Sequence, residues 1–118
     1  MNQDQATAAL ERRRLIDATY EYLASGVRNA VHSIFPLANP ATPIISPPEL
    51  IAGSHPETAT FTIAIRRGQY SAVFFISLFG TGNVLIEEQG GKPFEAVMKE
   101  DGLRYLRACV VGFASKAK

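Results

Sequence analysis

Residue types suited to nucleophilic or metal chemistry are few in this chain, and their spacing matches no catalytic or metal-binding motif. The chain has two histidines, His32 and His55, and one cysteine, Cys109. The histidines fall on different predicted elements, and neither is at ligand spacing from the other or from the cysteine. A pair of Cys109 with His32 would suit nucleophilic catalysis, but a cysteine between Ala108 and Val110 in a helix usually acts as a small buried hydrophobe. We predict no catalytic residue, no metal and no other cofactor.

Two glycines in the middle of the chain resemble part of a phosphate-binding loop. A dinucleotide loop that contained Gly80 and Gly82 would need a third glycine at position 85, where Leu85 stands, and a helix after it. The Gly-Lys-Ser/Thr ending of a P-loop is also absent. A strand follows instead, so these glycines indicate a hairpin turn.

Two pairs of arginines could form a basic patch. Arg66 and Arg67 end one predicted strand, and Arg104 and Arg107 lie on the outer side of the last predicted helix. If these elements converged, the four guanidinium groups would suit phosphate or an acidic partner. The chain has 12 basic and 11 acidic residues, a net charge of +1. A solvated surface is therefore favoured, and we do not expect nucleic acid as a partner.

Length and composition bound the class of protein. The 118 residues are 47% hydrophobic and 19% charged, which is typical of one globular domain spanning 1–118. No apolar run approaches the roughly 20 residues that span a bilayer, and the charged start of the chain lacks the apolar stretch of a signal peptide. With one cysteine and no intramolecular disulfide, we expect a soluble, cytoplasmic protein without a membrane partner.

The first 35 residues predict one long helix. Apolar or small side chains recur at steps of three and four, interrupted only at Arg13, at Ala6, Ala9, Ile16, Tyr20, Leu23, Val27, Ala30 and Ile34. Unbroken, this helix would measure about 45–50 Å, more than the roughly 30 Å diameter of such a domain. It could break at Gly26, but the stripe keeps its phase there, so we favour a continuous helix whose start projects from the domain.

The rest of the chain predicts an α+β fold with a three- to four-stranded antiparallel meander. Residues 36–56 form a proline-rich connection, in which Ser46 and Glu49 suggest a capping box on one helical turn. Strands follow within 57–98, and residues 70–79, apolar on both sides, predict a central strand covered on both faces. Pro93 marks the last strand as an edge, although it could instead open a short helix. A C-terminal helix is predicted over 101–116, capped by Asp101.

Two functional hypotheses follow. The first is a non-enzymatic interaction module, an adaptor or inhibitor of another macromolecule, that forms a homodimer because the projecting helix carries an apolar edge. The residues predicted for that dimer interface are Ile16, Tyr20, Leu23 and Val27. The alternative is a small-ligand-binding domain or orphan enzyme, with a pocket between the sheet and segment 36–56. Its predicted polar groups are Tyr70, His55 and Arg66.

Overall fold

Two helices and an antiparallel sheet make up the computed structural model, which describes residues 3–35, 40–52, 58–91, 93–96 and 98–116. Helix α1 (Gln3–Ile34) begins the chain and helix α2 (Lys99–Lys116) ends it. Between them lie β1 (Thr42–Ile45), β2 (Glu49–Leu50), β3 (Thr58–Arg67), β4 (Tyr70–Phe79), β5 (Val84–Glu88) and β6 (Pro93–Ala96). The predicted α+β class, with its long first helix and its antiparallel sheet, is confirmed.

The strands form a sheet in the order β1-β3-β4-β5-β6, and β2 also pairs with β3. The β3–β4 hairpin pairs from Thr58 with Phe79 to Arg67 with Tyr70. Gly68 opens its turn with φ at 61°, a left-handed conformation that glycine adopts without steric cost. The meander from β3 to β6 agrees with the predicted order, and Pro93 lies in a strand instead of opening a helix.

The proline-rich connection differs from its prediction. Glu49–Leu50 is a strand, so the expected helical turn over 46–52 is wrong, and position 53 lies outside the described residues. A single helical turn has little stability by itself, because its first hydrogen bond fixes several backbone angles. The edge of β3 instead provides backbone hydrogen-bond partners for β1 and β2, so this segment is extended. Pro43 lies within β1, and its missing N–H is tolerated because β1 is an edge strand.

Both helices pack on the same face of the sheet. The core joins α1, α2 and the alternate residues of β3, β4 and β5 that point towards the helices, such as Ile63, Phe74 and Ile86. Phe74 is 1% exposed, but its neighbour Phe75 is 45% exposed. The prediction that β4 is covered on both faces is therefore wrong. We call the side to which Phe75 points, on which neither described helix packs, the outer face.

Helix α1 runs without interruption past Gly26. A methyl group at Gly26 would lie 2.5 Å from Cδ1 of Leu103, so this glycine allows α1 and α2 to approach closely. At one end of the sheet, Arg12 of α1 packs over Gly80 in the β4–β5 turn. Residues 3–11 therefore extend beyond the sheet by about 13 Å, at 1.5 Å per residue. The radius of gyration is 15.6 Å, against about 13.5 Å for a compact domain of this length.

Candidate functional site

The residues predicted to bind a ligand do not form one site. Arg66 pairs with Ser71 and Tyr70 pairs with Arg67 in the β3–β4 ladder. Cross-strand partners share a face of a sheet, while sequence neighbours point to opposite faces. Arg66 therefore lies on the outer face and Tyr70 on the helix side, and His55 lies outside the described residues.

The predicted basic patch is not assembled either. The Arg67 guanidinium lies 5.1 Å from the centre of the Phe35 ring, on the helix side of the sheet. Arg66 points away from α2, which carries Arg104 and Arg107. Arg104 makes an exposed ion pair of 3.3 Å with Asp101. The four arginines therefore do not converge, because the sheet separates Arg66 from the others.

The residues predicted for the dimer interface hold α1 against its own sheet. Ile16, Leu23 and Val27 are at most 2% exposed in the single chain. Tyr20 packs edge-on against Phe61, with 4.8 Å between the ring centres. Ile16, Leu23 and Val27 therefore offer no surface to a second copy, and Tyr20, which is partly exposed, packs mainly within the chain. This corrects their assignment to an interface, and any contact with a partner must use other residues.

Cys109 lies half-buried beside a cavity of about 200 Å³ that Glu88 and Lys116 also line. Burial raises the pKa of the Cys109 thiol above its ordinary value. A hydrogen bond with Tyr105 acts in the opposite direction, and the charge of Glu88 raises the pKa further. The thiolate is the reactive form of cysteine, so this environment suits an inert thiol rather than a nucleophile.

A bulge at Ser46 interrupts the edge of the sheet. From Ile45 to Glu49 the edge advances four residues, while β3 advances three, from Ile63 to Thr60. The Ser46 carbonyl turns away from the ladder and accepts a 3.0 Å hydrogen bond from the Tyr20 hydroxyl. Its Oγ takes the place of the carbonyl and accepts a 2.8 Å hydrogen bond from the Thr62 N–H. The Ser46 N–H, the Ser46 carbonyl and the Thr62 N–H therefore all keep a hydrogen-bond partner at the bulge.

The bulge forms one wall of a groove of about 380 Å³ on the outer face. Polar and aromatic side chains line it: Ser46 and Glu49 from the edge, Thr60 and Thr62 from β3, and Phe75 and Ser77 from β4. From the proline-rich connection, the groove is lined by residues 46, 47 and 49, and neither Tyr70 nor Arg66 lines it. It combines hydroxyl groups, a carboxylate and the partly exposed aromatic ring of Phe75.

Next to the groove, the outer face carries several apolar side chains. Ile44, Ala64 and Val73 form one cross-strand row, and Ile44 is 46% exposed. Phe75 lies in the next row, between Thr62 and Glu87. Because neighbours on the same face of a strand are two positions apart in the sequence, the rows are about 6.8 Å apart. Large apolar and small polar side chains thus share one exposed surface.

Sequence reasoning expected both helices on one face of the sheet, but it located neither the groove nor the exposure of Phe75, although a signal was present. Thr60 and Thr62 alternate with apolar residues in β3, and Ser71 and Ser77 lie on the same side of β4 as Phe75. Those hydroxyl residues mark a solvent-facing side. The aromatic residues of β4 outweighed them in the prediction of a strand buried on both faces.

Comparisons with protein-family models, with curated proteins and with solved structures find no match to this chain. Neither described helix contains an apolar stretch long enough to cross a lipid bilayer. Within the described residues, no three histidine, cysteine or acidic side chains come together as metal ligands. Conclusions about function therefore depend on the geometry of the outer face.

Proposed function

We propose that this protein is a non-enzymatic interaction module that forms a homodimer through its outer face. One observation carries the proposal: both helices cover the same side of the sheet, which leaves Ile44 and Phe75 nearly half exposed on the other. A sheet face that exposes large apolar side chains is commonly buried against a second sheet, at a separation of about 10 Å. A second copy of the chain can supply that sheet.

The size of the outer face limits the area of such an interface. At about 3.3 Å per residue and about 4.8 Å between strands, the six strands present roughly 550 Å² on one side. Two copies would bury about 1,100 Å² together, slightly below the range of about 1,200–2,000 Å² for stable specific interfaces and above the roughly 800 Å² of most crystal contacts. The dimer we propose is therefore of moderate affinity and depends on most of the face being used.

Part of the surface remains free in this dimer and supports the proposed role as an adaptor or inhibitor of another macromolecule. The projecting start of α1 carries Leu10, which is 50% exposed, and Val111 on α2 is 53% exposed. A cytoplasmic location is part of the same proposal, supported by the single cysteine.

Light scattering coupled to size-exclusion chromatography tests the dimer. We expect the wild-type chain to elute with twice the monomer mass of 12.8 kDa at tens of micromolar. Phe75→Asp should give a folded monomer, because it places a charge in the centre of the proposed interface. Val111→Asp is the matched control, since it introduces the same charge on an exposed helical position and should leave the dimer intact. A wild-type mass of 12.8 kDa at every concentration would contradict the proposal.

The groove favours a second candidate function, the binding of a small ligand. Its volume of about 380 Å³ lies within the range of ligand sites, and its hydroxyl groups and carboxylate can orient a polar ligand. A thermal-shift screen against metabolites and nucleotides separates the two candidates. Reproducible stabilisation by one compound class, lost in Thr60→Val, would favour the ligand.

A further inference from the structure

We propose that the groove on the outer face is a guanidinium-binding site, and that its occupant is Arg66 of the second copy in the homodimer. This inference rests on the proposed function, because it names the contact that sets the orientation of the two copies.

The chemistry of the groove fits a guanidinium group. Glu49 contributes a carboxylate, and Thr60 and Ser77 contribute hydroxyl oxygens that accept hydrogen bonds. Phe75 contributes an exposed aromatic ring. A guanidinium binds carboxylates through two parallel hydrogen bonds and stacks on aromatic rings, whereas a lysine ammonium matches neither geometry as well. Apart from the acidic Glu49, the described groove carries no charged side chain, so it favours one cation.

The same face presents an arginine. Of the described outer-face side chains on β1–β5, the charged ones are Glu49, Arg66 and Glu87. Arg66 is exposed and lies three rows from the row of Glu49 and Thr60, about 20 Å along β3. A face with an acceptor-rich groove at one end and an arginine at the other cannot pair them within one chain. Two copies related by a two-fold axis can pair them twice.

The strand register shows where that axis would lie. An axis across the strands, midway between the rows of Ala64 and Thr62, exchanges the two ends of the face. It places Arg66 of each copy over the Thr60 row of the other, one strand away from Glu49. It also places Phe75 of each copy against Val73 of the other, so the apolar residues meet in the centre. One symmetry operation thus pairs opposite charges at both ends and brings the apolar side chains of β4 together between them. Glu87, one strand from Phe75 in the same row, gains no opposite charge from this operation.

Charge reversal tests the inference. Arg66→Glu and Glu49→Arg should each weaken the homodimer by roughly tenfold or more, because each creates two like-charge contacts per dimer. Their equimolar mixture should form a heterodimer with near wild-type affinity, since every contact is then between opposite charges. The double variant on one chain should dimerise again for the same reason. Arg107→Glu and Glu21→Arg, at exposed helical positions, are matched controls that should not change the affinity.

Sedimentation velocity over a concentration series measures these affinities, and circular dichroism confirms that each variant is folded. If either single variant is unfolded, Arg66→Gln and Glu49→Gln replace the pair, with a smaller loss expected from each. If both single variants dimerise with the affinity of the wild-type chain, the guanidinium site is overturned and the proposed function still stands. Weakened single variants that fail to recover on mixing would also overturn it. A wild-type chain that never self-associates would overturn both proposals.

Discussion

Phe74 and Phe75 are adjacent residues of one type, and the structure predicts opposite outcomes when each becomes aspartate. Phe74 is 1% exposed and packs in the core. Loss of a buried phenylalanine costs about 3–5 kcal/mol, and a buried carboxyl group without a partner adds several more. The sum is comparable to the whole stability of a domain, about 5–15 kcal/mol. Phe74→Asp should therefore not fold.

Phe75→Asp should fold, because 45% of the residue is already exposed. Complete burial of a phenylalanine is worth about 1.5–3 kcal/mol, so removing a half-buried ring costs about 1 kcal/mol. The poor strand propensity of aspartate adds up to about 1 kcal/mol. A total near 2 kcal/mol lowers the melting temperature by roughly 10 °C.

Far-UV circular dichroism with thermal melting distinguishes the two variants. We expect a native spectrum and a cooperative melt for Phe75→Asp, and neither for Phe74→Asp. If Phe75→Asp were unfolded, the outer face would be covered within the chain, and both proposals about that face would lose their basis.

Three further predictions concern the bulge, the helix contact and the thiol. Ser46→Ala removes the acceptor for a backbone N–H of β3 and should lower the free energy of unfolding by about 1 kcal/mol in urea denaturation; an unchanged midpoint would show that water replaces the hydroxyl. Gly112→Ala, with open space around it, should raise stability by up to about 1 kcal/mol. The Gly26→Ala variant should be about 1–3 kcal/mol less stable than the Gly112→Ala variant, because its added methyl group meets Leu103 of α2. Equal stabilities of the two variants would refute that contact. Because the pKa of Cys109 is raised, its thiol stays protonated to higher pH than an ordinary thiol. Its reaction with a disulfide reagent should therefore be slower at neutral pH than that of a free cysteine, and it should accelerate only above the ordinary pKa range of thiols. Fast reaction at pH 7 would contradict this prediction.

Local periodicity in the sequence was sufficient to predict both helices and the central antiparallel meander. The stripe of α1 and the alternation in β3 depend on neighbours within a few residues, and such patterns survive folding. Gly26 shows the limit of local signals. A glycine within a helical pattern can mark either a break in the helix or a close contact with another helix, and the local sequence is the same in both cases. Only the position of Leu103, distant in sequence, decides between them.

The candidate site was less predictable because it depends on contacts between distant segments. Ser46 and Glu49 match a capping box locally, but in the structure both pair with the edge of β3: Glu49 in strand β2, and Ser46 at the bulge. The sequence of β4 places Phe74 and Phe75 on opposite faces without indicating which face the helices cover. That choice is made by α1 and α2 together, and it determines that Phe75 is exposed.

Intermolecular contacts of Phe75 test the central claim most directly. In an equimolar mixture of isotope-labelled and unlabelled chains, filtered nuclear Overhauser spectra report only contacts between copies. The account predicts intermolecular signals from the Phe75 ring to methyl groups of the outer face, above all those of Val73. Intermolecular signals confined to Leu10 and Leu15 of α1, or none at concentrations of hundreds of micromolar, would contradict it.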